Sequence, residues 1–140
     1  MTDELRAVIM SHLNRMKLDY SKISFGYKVA SDQHMYPHIV FEIDSITPTD
    51  MGRYDFNVDF HVWDKGKDAS TVFALMEWLD TRLRFETEKH NGIFATFYTL
   101  SLGIVDDPDK SLIHGVVRME CQLYEVSITN DAILEPVFAS

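Results

Sequence analysis

The clearest rhythm in the chain lies between Arg53 and Val62, where Tyr54, Phe56, Val58, Phe60 and Val62 alternate with Arg53, Asp55, Asn57, Asp59 and His61. A period of two sends successive side chains to opposite faces. The stretch therefore predicts a strand with one buried and one wet face, as in antiparallel sheets. Trp63 ends the run and Asp64-Lys65-Gly66-Lys67 breaks it. Two other stretches repeat at helical spacing. From about Thr2 to Leu18, the residues Leu5, Val8, Ile9, Leu13 and Met16 fall on one stripe, with Asn14, Arg15 and Lys17 on the wet side. Thr2 can cap this helix, and Asp3 and Glu4 suit the positive end of its dipole. Asp68 is placed to cap a second helix from about Ala69 to Phe85. Its apolar face is Val72, Phe73, Leu75, Met76, Leu79 and Leu83, with Trp78 at the margin.

The remaining patterns are shorter. Ile23 and Phe25 alternate with Ser24, and Tyr27-Lys28-Val29 can continue a short strand before the turn-like Ser31-Asp32-Gln33-His34. His38 to Asp44 reads as a strand with Ile39, Phe41 and Ile43 on one face and Val40 on the outward side, followed by a turn-rich connection from Thr47 to Gly52. Glu86 to Gly92 reads as a polar connection. Two closing strands carry Tyr98, Leu100, Leu102 and Ile104, then Val117, Met119, Cys121 and Leu123, with Asp106 to Lys110 as an exposed hairpin loop. The order helix, strands, helix, strands predicts an α+β fold, a mostly antiparallel β-sheet with two α-helices packed on one face. Residues 1–126 form the domain. Residues 127–140, where Ile133, Leu134, Val137 and Phe138 surround Pro136 without a sustained period, are expected to be a tail or arm of the same domain.

A chain of 140 residues with 46% hydrophobic residues can bury a substantial core as one domain. The single cysteine, Cys121, has no intramolecular partner, which points away from a disulfide framework and from a cysteine-based zinc site. The N-terminus opens on acids and passes into an amphipathic pattern, unlike a secretory signal, and no apolar run is long enough to span a bilayer. An intracellular, soluble protein is expected. The net charge of −9 argues against sequence-specific or backbone binding of nucleic acid, which draws on lysine and arginine.

Candidate chemistry is sparse. His34 and His38 have a metal-ligand spacing, but Pro37 between them denies the helix that would align the two rings. Asp106, Asp107 and Asp109 lack the remaining ligands of a calcium loop. Cys121 occupies an apolar strand position, where a thiol acts as a small core residue. No glycine pattern forms a phosphate loop. Asp55, Asp59 and His61 share the wet face of the best strand and could work as an acid/base set, but the polar outside that any half-buried strand needs is the favoured explanation. No cofactor, metal or catalytic residue is expected.

The order of elements resembles the tail completion, or tail terminator, proteins of long-tailed bacteriophages and prophages. The likeness rests on the amphipathic first helix, Tyr36-Pro37 leading into Ile39-Val40-Phe41 and the long strand ending Phe60-His61-Val62-Trp63. It continues through the helix with Ala69, Val72, Leu75, Met76, Leu79 and Leu83, and the closing strand Val116 to Tyr124. The stretch after Val126 is longer than that pattern. The resemblance implies a structural subunit, not an enzyme. It would close into a homo-oligomeric ring, commonly a hexamer, that caps the tail tube and joins it to head–tail connector proteins. It would assemble in the host bacterial cytoplasm and end in the virion tail. Under that reading Asp55, Asp59, Asp106 and Asp107 are candidates for an acidic lumen along which DNA slides without adhering. The alternative is a small-ligand-binding or adaptor α+β module with a pocket between helix and sheet. An enzyme using Asp55, Asp59 and His61 ranks third.

Overall fold

The computed structural model describes residues 2–20, 22–28, 35–49, 52–66, 68–83, 87–90 and 93–125. In chain order they form α1 (Thr2–Met16), β1 (Ser24–Tyr27), β2 (His38–Pro48), β3 (Arg53–Lys65), α2 (Ser70–Leu83), β4 (Thr87–His90), β5 (Ile93–Val105) and β6 (Leu112–Glu125). The six strands make one sheet in the order β1-β2-β3-β6-β5-β4. Every pairing is antiparallel except β1 with β2. The fold is α+β, as the sequence predicts, with one parallel pair at an edge.

The alternation in β3 decides where the core lies. Phe56, Val58, Phe60 and Val62 point to one side of the sheet and are buried, joined there by Ile39 and Phe41 of β2 and by Val117, Met119, Cys121 and Leu123 of β6. The helical stripe Leu5, Val8, Ile9, Leu13 and Met16, together with Val72, Leu75, Met76, Leu79 and Leu83, completes the same cluster. Burying one such side chain contributes roughly 1.5–3 kcal/mol, so two helices laid on a single sheet face account for the core without help from the other face. Both helices keep their apolar stripes at the expected positions; α1 ends at Met16, α2 is described as far as Leu83, and the expected end at Phe85 lies outside the described residues. The Asp68 carboxylate accepts a hydrogen bond from the Ser70 backbone N–H at 2.9 Å, as a capping residue should. Phe73 departs from the expected apolar face, being half exposed.

Close approach makes one glycine necessary. A Cβ at Gly115 would stand 2.6 Å from Met76 Sδ and 2.7 Å from Val72 Cγ1, so this glycine lets α2 settle onto β6.

Several sequence expectations are corrected. β2 does not stop at Asp44 but continues to Pro48 through an irregularity between Ile43 and Ser45, taking up part of the expected turn. Its last residues carry no strong period because they line the sheet edge. Val40 is on the outward side, as its position predicts, yet it is buried. Part of the polar connection after α2 is instead β4, a short strand paired antiparallel with Ile93–Thr96. In β5 the expected face of Tyr98, Leu100, Leu102 and Ile104 is split by a bulge between Thr99 and Ser101. Tyr98 lies opposite outward-facing Glu120, whereas Leu102 lies opposite core-facing Val117. The core residues of β5 are Ala95 and Phe97. Residues 127–140 and His34 lie outside the described residues.

Candidate functional site

The sheet face away from the helices carries most of the polar chemistry. Strand pairing sets Glu42 opposite Asp59, Asp59 opposite Arg118 and Asp55 opposite Gln122, with Asn57 opposite Glu120. Asp55 is engaged by Arg53, whose Nε lies 3.1 Å from Oδ1 and whose Nη2 donates to Oδ2 at 3.3 Å. Burial, followed by a hydrogen bond and charge repulsion from Asp44, holds the Asp59 carboxyl above the usual range, against the pull of Arg118 and His61. The face is therefore acidic but interrupted: Glu42, Asp44, Asp55, Asp59 and Glu120 against Arg53 and Arg118.

At the end of this face nearest the β5–β6 connection, four rings from three strands form a ladder. His38 stacks on Trp63 at 6.5 Å between centroids, His61 on Trp63 at 5.6 Å, and His114 on Trp63 at 4.4 Å. His61 Nδ1 lies 2.9 Å from His114 Nε2, and His61 Nε2 lies 3.4 Å from Glu42 Oε1. A neutral assignment satisfies both contacts, with His61 Nε2–H directed at Glu42 and His114 Nε2–H donated to His61 Nδ1. Burial lowers the His114 pKa, the neighbouring His61 lowers it further, and Asp107 partly offsets both. Trp63 Nε1 donates to Asp107 Oδ1 at 3.4 Å, tying the loop to the ladder. On the opposite flank, Ser24 Oγ donates to the Met35 carbonyl at 2.8 Å and stands 2.6 Å from His38 Nδ1. The hydroxyl has one proton, already directed at Met35, so His38 Nδ1–H is the donor in that pair.

The four candidate lumen residues are thus distributed along one face and its rim. Asp55 and Asp59 project from β3, Asp107 reaches the ladder, and Asp106 is exposed in the connection before β6. The alternative acid/base set has Asp55 held by Arg53, and His61 held between Glu42 and His114. Cys121 is buried in the core and its thiol pKa is raised by burial, consistent with a packing role. Among the described residues no group of three or more His, Cys, Asp and Glu is arranged to hold a metal ion, and no helix is long and apolar enough to cross a membrane. A depression between the helices, lined by His12, Arg15, Leu18, Asp19, Trp78 and Arg82, is spanned by the Trp78 Nε1 to Asp19 Oδ2 hydrogen bond at 3.1 Å.

A second surface is defined by backbone and composition. β5 is thirteen residues long, and not one of them is charged: Ile-Phe-Ala-Thr-Phe-Tyr-Thr-Leu-Ser-Leu-Gly-Ile-Val. β4 pairs only with Ile93–Thr96, so among the described residues the outer edge of β5 from Phe97 to Val105 has no strand beside it. Leu100, Leu102, Ile104 and Val105 there are 59, 44, 42 and 43% exposed. Soluble sheets ordinarily guard such an edge with charge, proline or a covering element. Sequence reading placed Leu100, Leu102 and Ile104 in a strand without marking its edge as open. The informative signal was the missing charge in a chain that is 25% charged.

The sequence matches no family model and no curated protein.

Proposed function

We propose that this chain is a structural subunit of a bacteriophage or prophage tail, acting as a homo-oligomeric ring that caps the tail tube or joins it to the head. The observation that carries the reading is strand β5, uncharged and, among the described residues, open along much of its outer edge. An apolar edge of this length is costly in water and prone to adhesion, and a protein that keeps one is built to have it covered. The resemblance in element order supplies the setting, and the acidic sheet face supplies a surface suited to the passage of DNA. Charges of like sign keep the duplex from adhering, and Arg53 and Arg118 are the basic residues interrupting this part of the face.

The test is the mass of the purified protein by light scattering over a wide range of concentration, with electron microscopy of the largest species. A ring-sized mass and an annulus are expected. A protein that stays monomeric at every concentration and also fails to join purified tail tubes overturns the proposal. Once rings are in hand, lysine at Asp55, Asp59, Asp106 and Asp107 is expected to leave the ring intact and impair DNA passage. Unchanged passage removes the acidic-lumen role.

A further inference from the structure

The sheet has a second open edge. β1 pairs with β2 only over His38–Phe41, so among the described residues the β2 edge from Glu42 to Pro48 also has no strand beside it, and Ile46 there is 49% exposed. The two open edges sit on opposite sides of the sheet and towards opposite ends of its strands. In the sheet Ser45 is level with Tyr98, through Asn57 and Glu120. The open stretch of β5 runs from that level almost entirely one way, while the open stretch of β2 extends three residues to either side of it.

We infer that the occupant of the β5 edge is the β2 edge of a second copy of this chain, in one particular register. This rests on the self-assembly in the functional reading above. Strand direction allows it directly. β2, β3, β6 and β5 are successively antiparallel, so β2 and β5 run in opposite senses. Two copies in the same orientation, side by side, therefore meet as an antiparallel pair.

Three features fix the register. β1 blocks β2 at Phe41 and before, and β4 blocks β5 at Thr96 and before, so the copies must slide along the strands by about four residues, roughly 13 Å, for both open stretches to meet. That slide sets Ser45 opposite Gly103, Ile46 opposite Leu102 and Thr47 opposite Ser101. Sidedness agrees. Ser45 bonds outward-facing Asn57 and Gly103 is level with Val116 on the outer face, while Ile46 and Leu102 lie level with core-facing Phe56 and Val117. The irregularity at Asp44 then carries Ile43 opposite Ile104 and Glu42 opposite Val105, so exposed Leu102 and Ile104 meet apolar partners, Val105 meets a charged one, and no like charges face each other. A slip of one residue would oppose helix-side to outer-side residues, which a continuous sheet forbids. A slide shorter by two residues would drive β1 against Ile104 and Val105.

Because the two edges differ, the contact is head-to-tail, and repeated contacts close into a ring when the rotation per copy permits. The ring would be joined by backbone hydrogen bonds, and the β1 and β4 strands would act as the stops that set its register.

Cysteine pairing tests this. The variant Ser45→Cys/Gly103→Cys brings two thiols across the joint, and a Cβ at Gly103 meets no heavy atom within 4 Å. Mild oxidation is expected to give covalent multimers on a denaturing gel. The control Ser45→Cys/Leu102→Cys, with thiols on opposite faces, is expected to give at least tenfold less. Thr47→Cys/Ser101→Cys repeats the test without touching a glycine. Native mass is measured before oxidation. Assembled protein with no more cross-linking than the control overturns this joint and leaves the assembly reading standing; protein that is monomeric in solution is oxidised on purified tail tubes instead, and failure to join them overturns both. Cross-linking that appears only in a chain ending at residue 126 also overturns the joint, and assigns the edge to residues 127–140 of the same chain.

Discussion

β3 and β5 are both thirteen residues long and share one sheet, yet they are written in different ways. β3 has a strand on each side, alternates without error, and puts Arg53, Asp55, Asp59 and His61 on its wet face. β5 has no charge, is broken by a bulge, and leaves its far half without a neighbour among the described residues. The first strand satisfies the isolated chain. The second leaves apolar surface and backbone groups for something else to cover. A sequence that separates these two kinds of strand so sharply encodes a fold and an attachment, and the two can be broken independently.

The largest effect is expected at the centre of the first kind. Phe60→Ala should lower unfolding stability by about 3–5 kcal/mol in urea titrations, because it empties a fully buried position beside Phe41. Gly115→Ala should cost about 1–3 kcal/mol by the same measurement, since the added methyl meets Val72 and Met76 before either can move away. On β5, Leu102→Lys should change unfolding stability by no more than about 0.5 kcal/mol while shifting the native mass to monomer. If Leu102→Lys instead unfolds the protein, the contrast between the strands fails.

Two smaller predictions concern the wet face of the sheet. The folded chain holds the His114 pKa below that of an ordinary histidine, so the unfolded chain takes up its proton first as pH falls. The sign follows: stability is unaffected above about pH 6.5 and declines below it. His114→Gln should lose less between pH 7 and 5.5 than the parent does, read from the urea midpoint. Asp59 has the opposite sign, a raised carboxyl pKa whose ionisation at neutral pH opposes folding. Asp59→Asn should therefore raise stability at pH 7, by a few tenths of a kcal/mol given its exposure, and the gain should vanish below about pH 4.

How much was legible follows the same division. The α+β class and both helix stripes could be read because periodicity reports burial, and so could the core faces of β3 and β6. The end of β2 could not, since its last residues are exposed and no buried face imposes a period there, and β4 is only four residues long. The bulge after Thr99 defeated β5, because one inserted residue exchanges the faces of everything beyond it. The ring ladder was invisible for a different reason. His38, Trp63 and His114 come together through pairings between residues far apart in sequence; His38 had been weighed only with His34 and His61 only with Asp55 and Asp59, neither with the other rings.

The unlikeness of the two open edges has a genetic consequence. If copies join β5 to β2, a subunit spoiled at one edge alone still accepts a neighbour at the other. Leu102→Lys made alongside the normal protein would then act as a chain terminator, capping growing arcs and lowering the yield of closed rings out of proportion to its share. A second variant spoiled at β2, such as Ile46→Lys, would poison in the same way. Mixed with the first in the absence of normal protein, it would form pairs and nothing larger.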